Sequence, residues 1–98
     1  MELVSFQLVA NADEETFLKA SQAVDTFCRT QPGFISRRLA KSEEGGWVDC
    51  IEWLDMECAQ SAAKAMPKAD GVGPVLSAID MPTVSLRHLD VMTSHQAD

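Results

Sequence analysis

Apolar and polar residues alternate from Leu3 to Val9, with Val4, Phe6 and Leu8 on one side and Leu3, Ser5, Gln7 and Val9 on the other. A period of two predicts a strand. The period then lengthens: Phe17, Ala20, Ser21, Val24, Phe27 and Cys28 recur at three-and-four spacing, the single apolar stripe of a helix. Asn11 or Asp13 is placed to cap it, and Asp13, Glu14 and Glu15 crowd its first turn, where the helix dipole favours negative charge. Pro32-Gly33 stops it.

Two strand-like runs follow, Phe34 to Ser42 and Trp47 to Leu54, joined by Glu43-Glu44-Gly45-Gly46. The paired glycines are expected to supply the positive φ of a hairpin turn. Asp55 is a credible cap for a second, alanine-rich helix that runs to Met66 and is broken by Pro67. Beyond the loop from Asp70 to Pro74, Val75, Leu76 and Ile79 mark a short helical pattern. Pro82 then leads into a last strand, Thr83 to Met92, and residues 93–98 form a polar tail expected to fray.

The order βαββαβ predicts one α+β domain over residues 1–98, ferredoxin-like, with a four-stranded antiparallel sheet and both helices on one face. Strands one and three are expected at its centre, parallel to each other, with two and four at the edges. The open face should be polar in a monomer, but the strands are apolar on both sides. Trp47, Ile51 and Trp53 oppose Val48, Cys50 and Leu54, while Val84, Leu86 and Met92 oppose Leu89 and Val91. A sheet covered on both faces is implied, and the expected cover is a second copy: a homodimer packed sheet against sheet through a two-fold contact.

A net charge of −7 argues against general nucleic-acid or anionic-membrane binding. The one basic cluster, Arg37-Arg38-Lys41, reads as a solvated strand face. No apolar run approaches a membrane span, and the amino terminus lacks a signal peptide's basic start. Cys28, Cys50 and Cys58 are odd in number and irregularly spaced, matching neither a disulfide framework nor a metal site. Reduced cysteines make a cytoplasmic location the expectation.

Gln31-Pro32-Gly33-Phe34 closing the first helix, Glu52-Trp53-Leu54 ending the third strand, the acid-then-alanine helix from Asp55 to Ala63, and a helix broken before the last strand together resemble the antibiotic-biosynthesis-monooxygenase domain of the dimeric α/β-barrel superfamily. The resemblance spans nearly the whole chain and implies a small-molecule pocket between helices and sheet in each subunit. That family includes cofactor-free oxygenases of polycyclic phenols and quinols, haem-degrading enzymes, lactone isomerases and polyketide cyclases. Its haem-degrading branch uses an Asn at the end of the first strand, a Trp in the second helix and a His beyond it. Asn11 matches the first, but Met56 to Ile79 contains neither Trp nor His. The expectation is therefore a chain without cofactor or metal.

Chemistry has few candidate carriers. His88 shares a strand face with Val84 and Leu86; an imidazole there is either a general base toward an activated phenol or α-carbon, or a core or interface histidine. Asn11 is a substrate donor or a helix cap. Trp47 and Trp53 are aromatic pocket walls or packing anchors. Arg37 is an anion partner or a solvated cation. Asp49, set by alternation between Trp47 and Ile51, needs a partner in Arg37 or Lys41. No nucleophile elbow, phosphate loop or dinucleotide fingerprint is present. The reading is a cofactor-independent monooxygenase-like protein acting on an aromatic, quinol or polyketide-like molecule. Its alternative is a non-catalytic ligand-binding or stress-associated dimer of the same fold.

Overall fold

A computed structural model describes residues 1–97 of the chain. Its elements are β1 (Glu2–Phe6), α1 (Glu14–Ala20), α2 (Gln22–Arg29), β2 (Phe34–Lys41), β3 (Trp47–Trp53), α3 (Met56–Ala65), α4 (Gly73–Ala78) and β4 (Ser85–His88). The first helix is capped by Asp13 and not Asn11: Asp13 Oδ2 accepts from Thr16 N at 3.0 Å and from Thr16 Oγ1 at 2.6 Å. Where the apolar stripe predicts one helix, Ser21 divides it in two. Ser21 Oγ donates back to Leu18 O at 2.8 Å, and the Ser21 carbonyl accepts from Val24 N at 3.0 Å and from the Arg37 guanidinium at 3.3 Å. A back-bonded serine and a three-residue hydrogen bond both tighten the helical turn.

The sheet order is β2-β3-β1-β4, with β1 and β3 central as expected. They are antiparallel and not parallel, pairing Glu2 with Ile51 through to Phe6 with Trp47. The crossover through α1 and α2 brings β2 back in the direction of β1, and the hairpin then reverses β3. Every neighbouring pair is therefore antiparallel. In the hairpin only Gly45, at φ +96°, takes the left-handed region; Gly46 does not, and its N–H is held by Ser42 Oγ at 3.1 Å.

The first and last strands, β1 and β4, both fall short of the sequence pattern. After Phe6 the chain leaves the sheet and runs beside the end of α4, with Val9 N donating to Ala78 O and Asp80 N to Gln7 O, each at 2.8 Å. At the far edge a 3₁₀ turn, Met81–Thr83, replaces the expected start of β4. The other end of β4 closes with Leu89 N donating to Met1 O at 2.7 Å. Residues 89–97 hold no helix or strand; of the tail expected to fray, Asp98 lies outside the described residues.

Phe6, Phe17, Val24, Cys28, Trp47, Ile51, Trp53, Ala59, Ala62, Val72 and Val75 form the core between the helices and the inner sheet face. Burial of each large side chain is worth about 1.5–3 kcal/mol. Phe6, Phe17 and Trp47 stack edge to face, with centroids 5.9 and 5.1 Å apart. On the outer face Leu3, Val48 and Cys50 are half-buried beside exposed Arg38 and Arg87, so that face is mixed rather than uniformly apolar.

Gly33, at φ +80°, joins α2 to β2, and a Cβ there would lie 2.6 Å from Cys58 Sγ and 2.9 Å from Cys58 Cβ. Only glycine allows both the left-handed turn and the close approach of α3. Gly33→Ala is expected to cost about 2–4 kcal/mol, from the unfavourable φ together with overpacking. Thermal denaturation followed by circular dichroism should show a melting point about 10 °C or more below wild type.

Candidate functional site

Between the inner sheet face and the helices lies a cavity of about 230 Å³. Its walls are apolar, with Phe17 from α1, Val24 and Phe27 from α2, Ala62 from α3 and Val75 from α4. The exposed lining residues Met81, Val84 and Leu86 mark its mouth at the β4 edge. Its floor carries Glu2, Arg37, Asp49 and the Trp53 indole, all on inward-facing strand positions. At a size below the roughly 300 Å³ where ligand pockets usually begin, it suits a compact ring system.

The Arg37–Asp49 pair sits at one side of the floor, diagonal across β2 and β3. Arg37 Nε donates to Asp49 Oδ1 at 3.0 Å and to Oδ2 at 3.1 Å, and Nη2 donates to Oδ2 at 2.8 Å. Nη1 reaches the helix above, donating to Asp25 Oδ1 at 2.8 Å and to Ser21 O at 3.3 Å. Burial pushes the Asp49 carboxyl above the usual aspartate range, more than the guanidinium pulls it back. The pairing expected for Asp49 is thus met by Arg37; Lys41 instead donates to Glu14 at 2.7 Å and lies over Trp47.

Glu2 supplies the second carboxylate of the floor. Its side chain is 7 % exposed, and its Oε2 lies 3.1 Å from His88 Nε2 across the β1–β4 pair. Burial raises its pKa above the ordinary glutamate value, only partly offset by the hydrogen bond and charge of His88; nearby Asp49 pushes it further up. The indole of Trp53 stands close enough to favour the charged form of Glu2. Its Nε1–H is nevertheless buried without an acceptor among the described residues. A donor left so is costly unless something else comes to accept from it. The Cys28 thiol is pushed up to about 11 by burial, so it remains a neutral wall.

No protein-family profile matches the chain, and no curated protein sequence does. Solved structures do. A variant of SnoaB, a cofactor-independent oxygenase from Streptomyces nogalater, superposes with a TM-score of 0.75 at 14% identity over 95% of this chain and 92% of its own. The ActVA-Orf6 monooxygenase of Streptomyces coelicolor, solved with nanaomycin D, gives 0.68 at 17% identity over 99% and 90%. A variant of MhuD with two manganese protoporphyrin IX molecules per active site gives 0.59 at 21% over 98% and 97%. The chain has the antibiotic-biosynthesis-monooxygenase fold.

Within that fold the expected site residues separate. Trp53 and Arg37 line the cavity, whereas His88 lies behind Glu2 and reaches the cavity only through it. Trp47 packs on Phe17 at the other end of the sheet. Asn11 is exposed in the turn before α1, away from the cavity lining. Glu2 is the charged lining residue absent from the sequence candidates. Its signal was available: the period of two that places Val4 and Phe6 inward also places Glu2 inward. The residues do not fit a haem, because among the described residues no imidazole lines the cavity and His88 is turned to Glu2.

Arg37 and Asp49 side chains are 5 % and 13 % exposed, so removing one strands the other's charge. Arg37→Met is expected to lower stability by about 3–5 kcal/mol. The double variant Arg37→Met/Asp49→Leu should recover most of that loss, as a paired apolar replacement removes both desolvation costs. Urea denaturation of the two single variants and the double variant measures the coupling.

Proposed function

We propose that this protein is a cofactor-independent oxygenase acting on a compact aromatic, quinol or polyketide-like molecule bound in the helix–sheet cavity. The observation that carries this reading is the buried Glu2 carboxylate at the cavity floor, backed by His88 and raised toward the range useful to a general base. A purely structural pocket would not need an ionisable group there. The apolar walls exclude water from the reacting carbon and strengthen the fields of the few polar groups inside.

In this reading Glu2 takes a proton from an activated C–H or O–H of the substrate, leaving an electron-rich anion. The anion passes one electron to dioxygen, and the radical pair combines into a peroxide, which Glu2 reprotonates. At an anthrone-like methylene, loss of the second C–H proton with cleavage of the O–O bond leaves a ketone and water. The sum is CH₂ + O₂ → C=O + H₂O. His88 is a positioning residue for Glu2, Trp53 donates to the developing oxyanion, and Arg37 holds Asp49 in place. Asn11, exposed in the turn before α1, takes no part in this scheme. Trp47 serves as an aromatic anchor for the pocket wall.

An oxygen electrode with anthrone and a quinol panel tests this. Glu2→Gln should lower kcat by about a hundredfold or more, and His88→Ala by a smaller factor. The base works deprotonated, so kcat/KM should rise with pH through the elevated Glu2 pKa, and His88→Ala should displace that limb. Unimpaired turnover by Glu2→Gln would sink the assignment. No turnover of any substrate by the folded protein would favour the non-catalytic, ligand-binding alternative.

We propose further that two copies associate through the outer sheet face, where Leu3, Val48 and Cys50 are only half-buried in one chain. Sedimentation equilibrium should give twice the monomer mass, and Val48→Lys should shift it toward the monomer. The partner in this reading is a small molecule and neither nucleic acid nor membrane, in keeping with the net charge of −7. Among the described residues no helix is long and apolar enough to cross a membrane. A cytoplasmic location, supported by three free cysteines, completes the proposal.

A further inference from the structure

The charged residues of the cavity lining are Glu2, Asp49 and Arg37. Arg37 was the one group able to pair an anionic ligand, and its guanidinium is committed to Asp49, Asp25 and the Ser21 carbonyl. His88 balances Glu2 only when protonated, and from behind it. A ligand entering between these walls therefore meets an excess of carboxylate. It also meets the Trp53 Nε1–H, a donor on a residue 5 % exposed that finds no acceptor among the described residues. A single neutral hydroxyl satisfies both demands, because its oxygen accepts from the indole while its proton is donated to Glu2. A carboxylate in the same place accepts from Trp53 but brings a further negative charge against Glu2 and Asp49, where low polarity strengthens repulsion.

We infer that the cavity floor selects ligands by charge, taking a neutral aromatic hydroxyl and rejecting a carboxylate on the same ring. The inference rests on the cavity being the substrate site, and it deepens that reading by naming what the substrate presents to the floor. Specificity of this kind comes as much from the unpaired charge set against the wrong ligand as from contacts to the right one.

Isothermal titration calorimetry at pH 7.5 with 2-naphthol, 2-naphthoate and naphthalene reads it without any turnover. Wild-type protein should bind 2-naphthol about tenfold or more tightly than either of the others, the scale of one satisfied buried hydrogen bond or one avoided like-charge contact. Glu2→Gln should narrow the gap between 2-naphthol and 2-naphthoate. Trp53→Phe should weaken 2-naphthol while leaving naphthalene nearly unchanged. Equal or tighter binding of 2-naphthoate by the wild type overturns the inference, as does failure of all three to bind; neither result requires a variant to fold. If 2-naphthol is preferred but no anthrone or quinol consumes oxygen, the oxygenase reading falls alone. If anthrone is oxidised while 2-naphthoate binds as well as 2-naphthol, only the charge selection falls.

Discussion

The Arg37 guanidinium is the joint on which the rest of the structure turns. It lies on β2, is nearly buried, and holds Asp49 on β3 through three hydrogen bonds while reaching Asp25 and the Ser21 carbonyl on the helices above. Taking such charges out of water costs several kcal/mol for each ion, and the cost is offset only when geometry and hydrogen bonding are nearly complete. Here they are. Completeness ties hairpin and helix together in one arrangement, because a shift of either element would leave a buried charge unmatched. The break between α1 and α2 belongs to the same joint, since Ser21 offers its carbonyl to the guanidinium at that point.

That joint also shapes the cavity. By absorbing Arg37 it leaves the floor with unneutralised carboxylate and one indole donor, and by holding β2 and β3 against the helices it keeps the space open. The two acids differ in freedom. Asp49 is bound on both oxygens by one guanidinium, whereas Glu2 has a single imidazole neighbour at 3.1 Å. The less encumbered acid is the better placed to exchange a proton with a ligand. The fold supplies the apolar chamber and the strand positions; the polarity of its floor rests on which inward residues happen to be ionisable.

Most of the architecture could be read from residue patterns, for identifiable reasons. Helix starts at Asp13 and Asp55 and the turn at Gly33 depend on interactions within a few residues, so local chemistry suffices. Asp49 needed a partner wherever alternation buried it, and Arg37 was within reach on the neighbouring strand. What escaped involved register and chain ends. The length of β4 depends on where β1 stops, and the relation between Glu2 and His88 depends on the pairing of strands 86 residues apart. A strand begun at Leu3, where the alternation of apolar and polar residues starts, leaves Glu2 out altogether. The direction of β3 relative to β1 follows from counting reversals of the chain, which places the two antiparallel.

Sequence alone therefore determined the order of elements, that Val4 and Phe6 share one strand face and Trp47, Ile51 and Trp53 another, and the need to neutralise Asp49; which face turns inward was left to the tertiary structure. Period, capping and turn chemistry act over short spans and survive in the linear text. Tertiary structure decided which polar groups share the cavity floor: Glu2 with His88 behind it, Trp53 with a donor to spare, Arg37 already engaged. It also removed Asn11 and Trp47 from that floor. The physical reason is that a site is made of distances between residues far apart in the chain, and those are set by strand register and helix packing rather than by local preference.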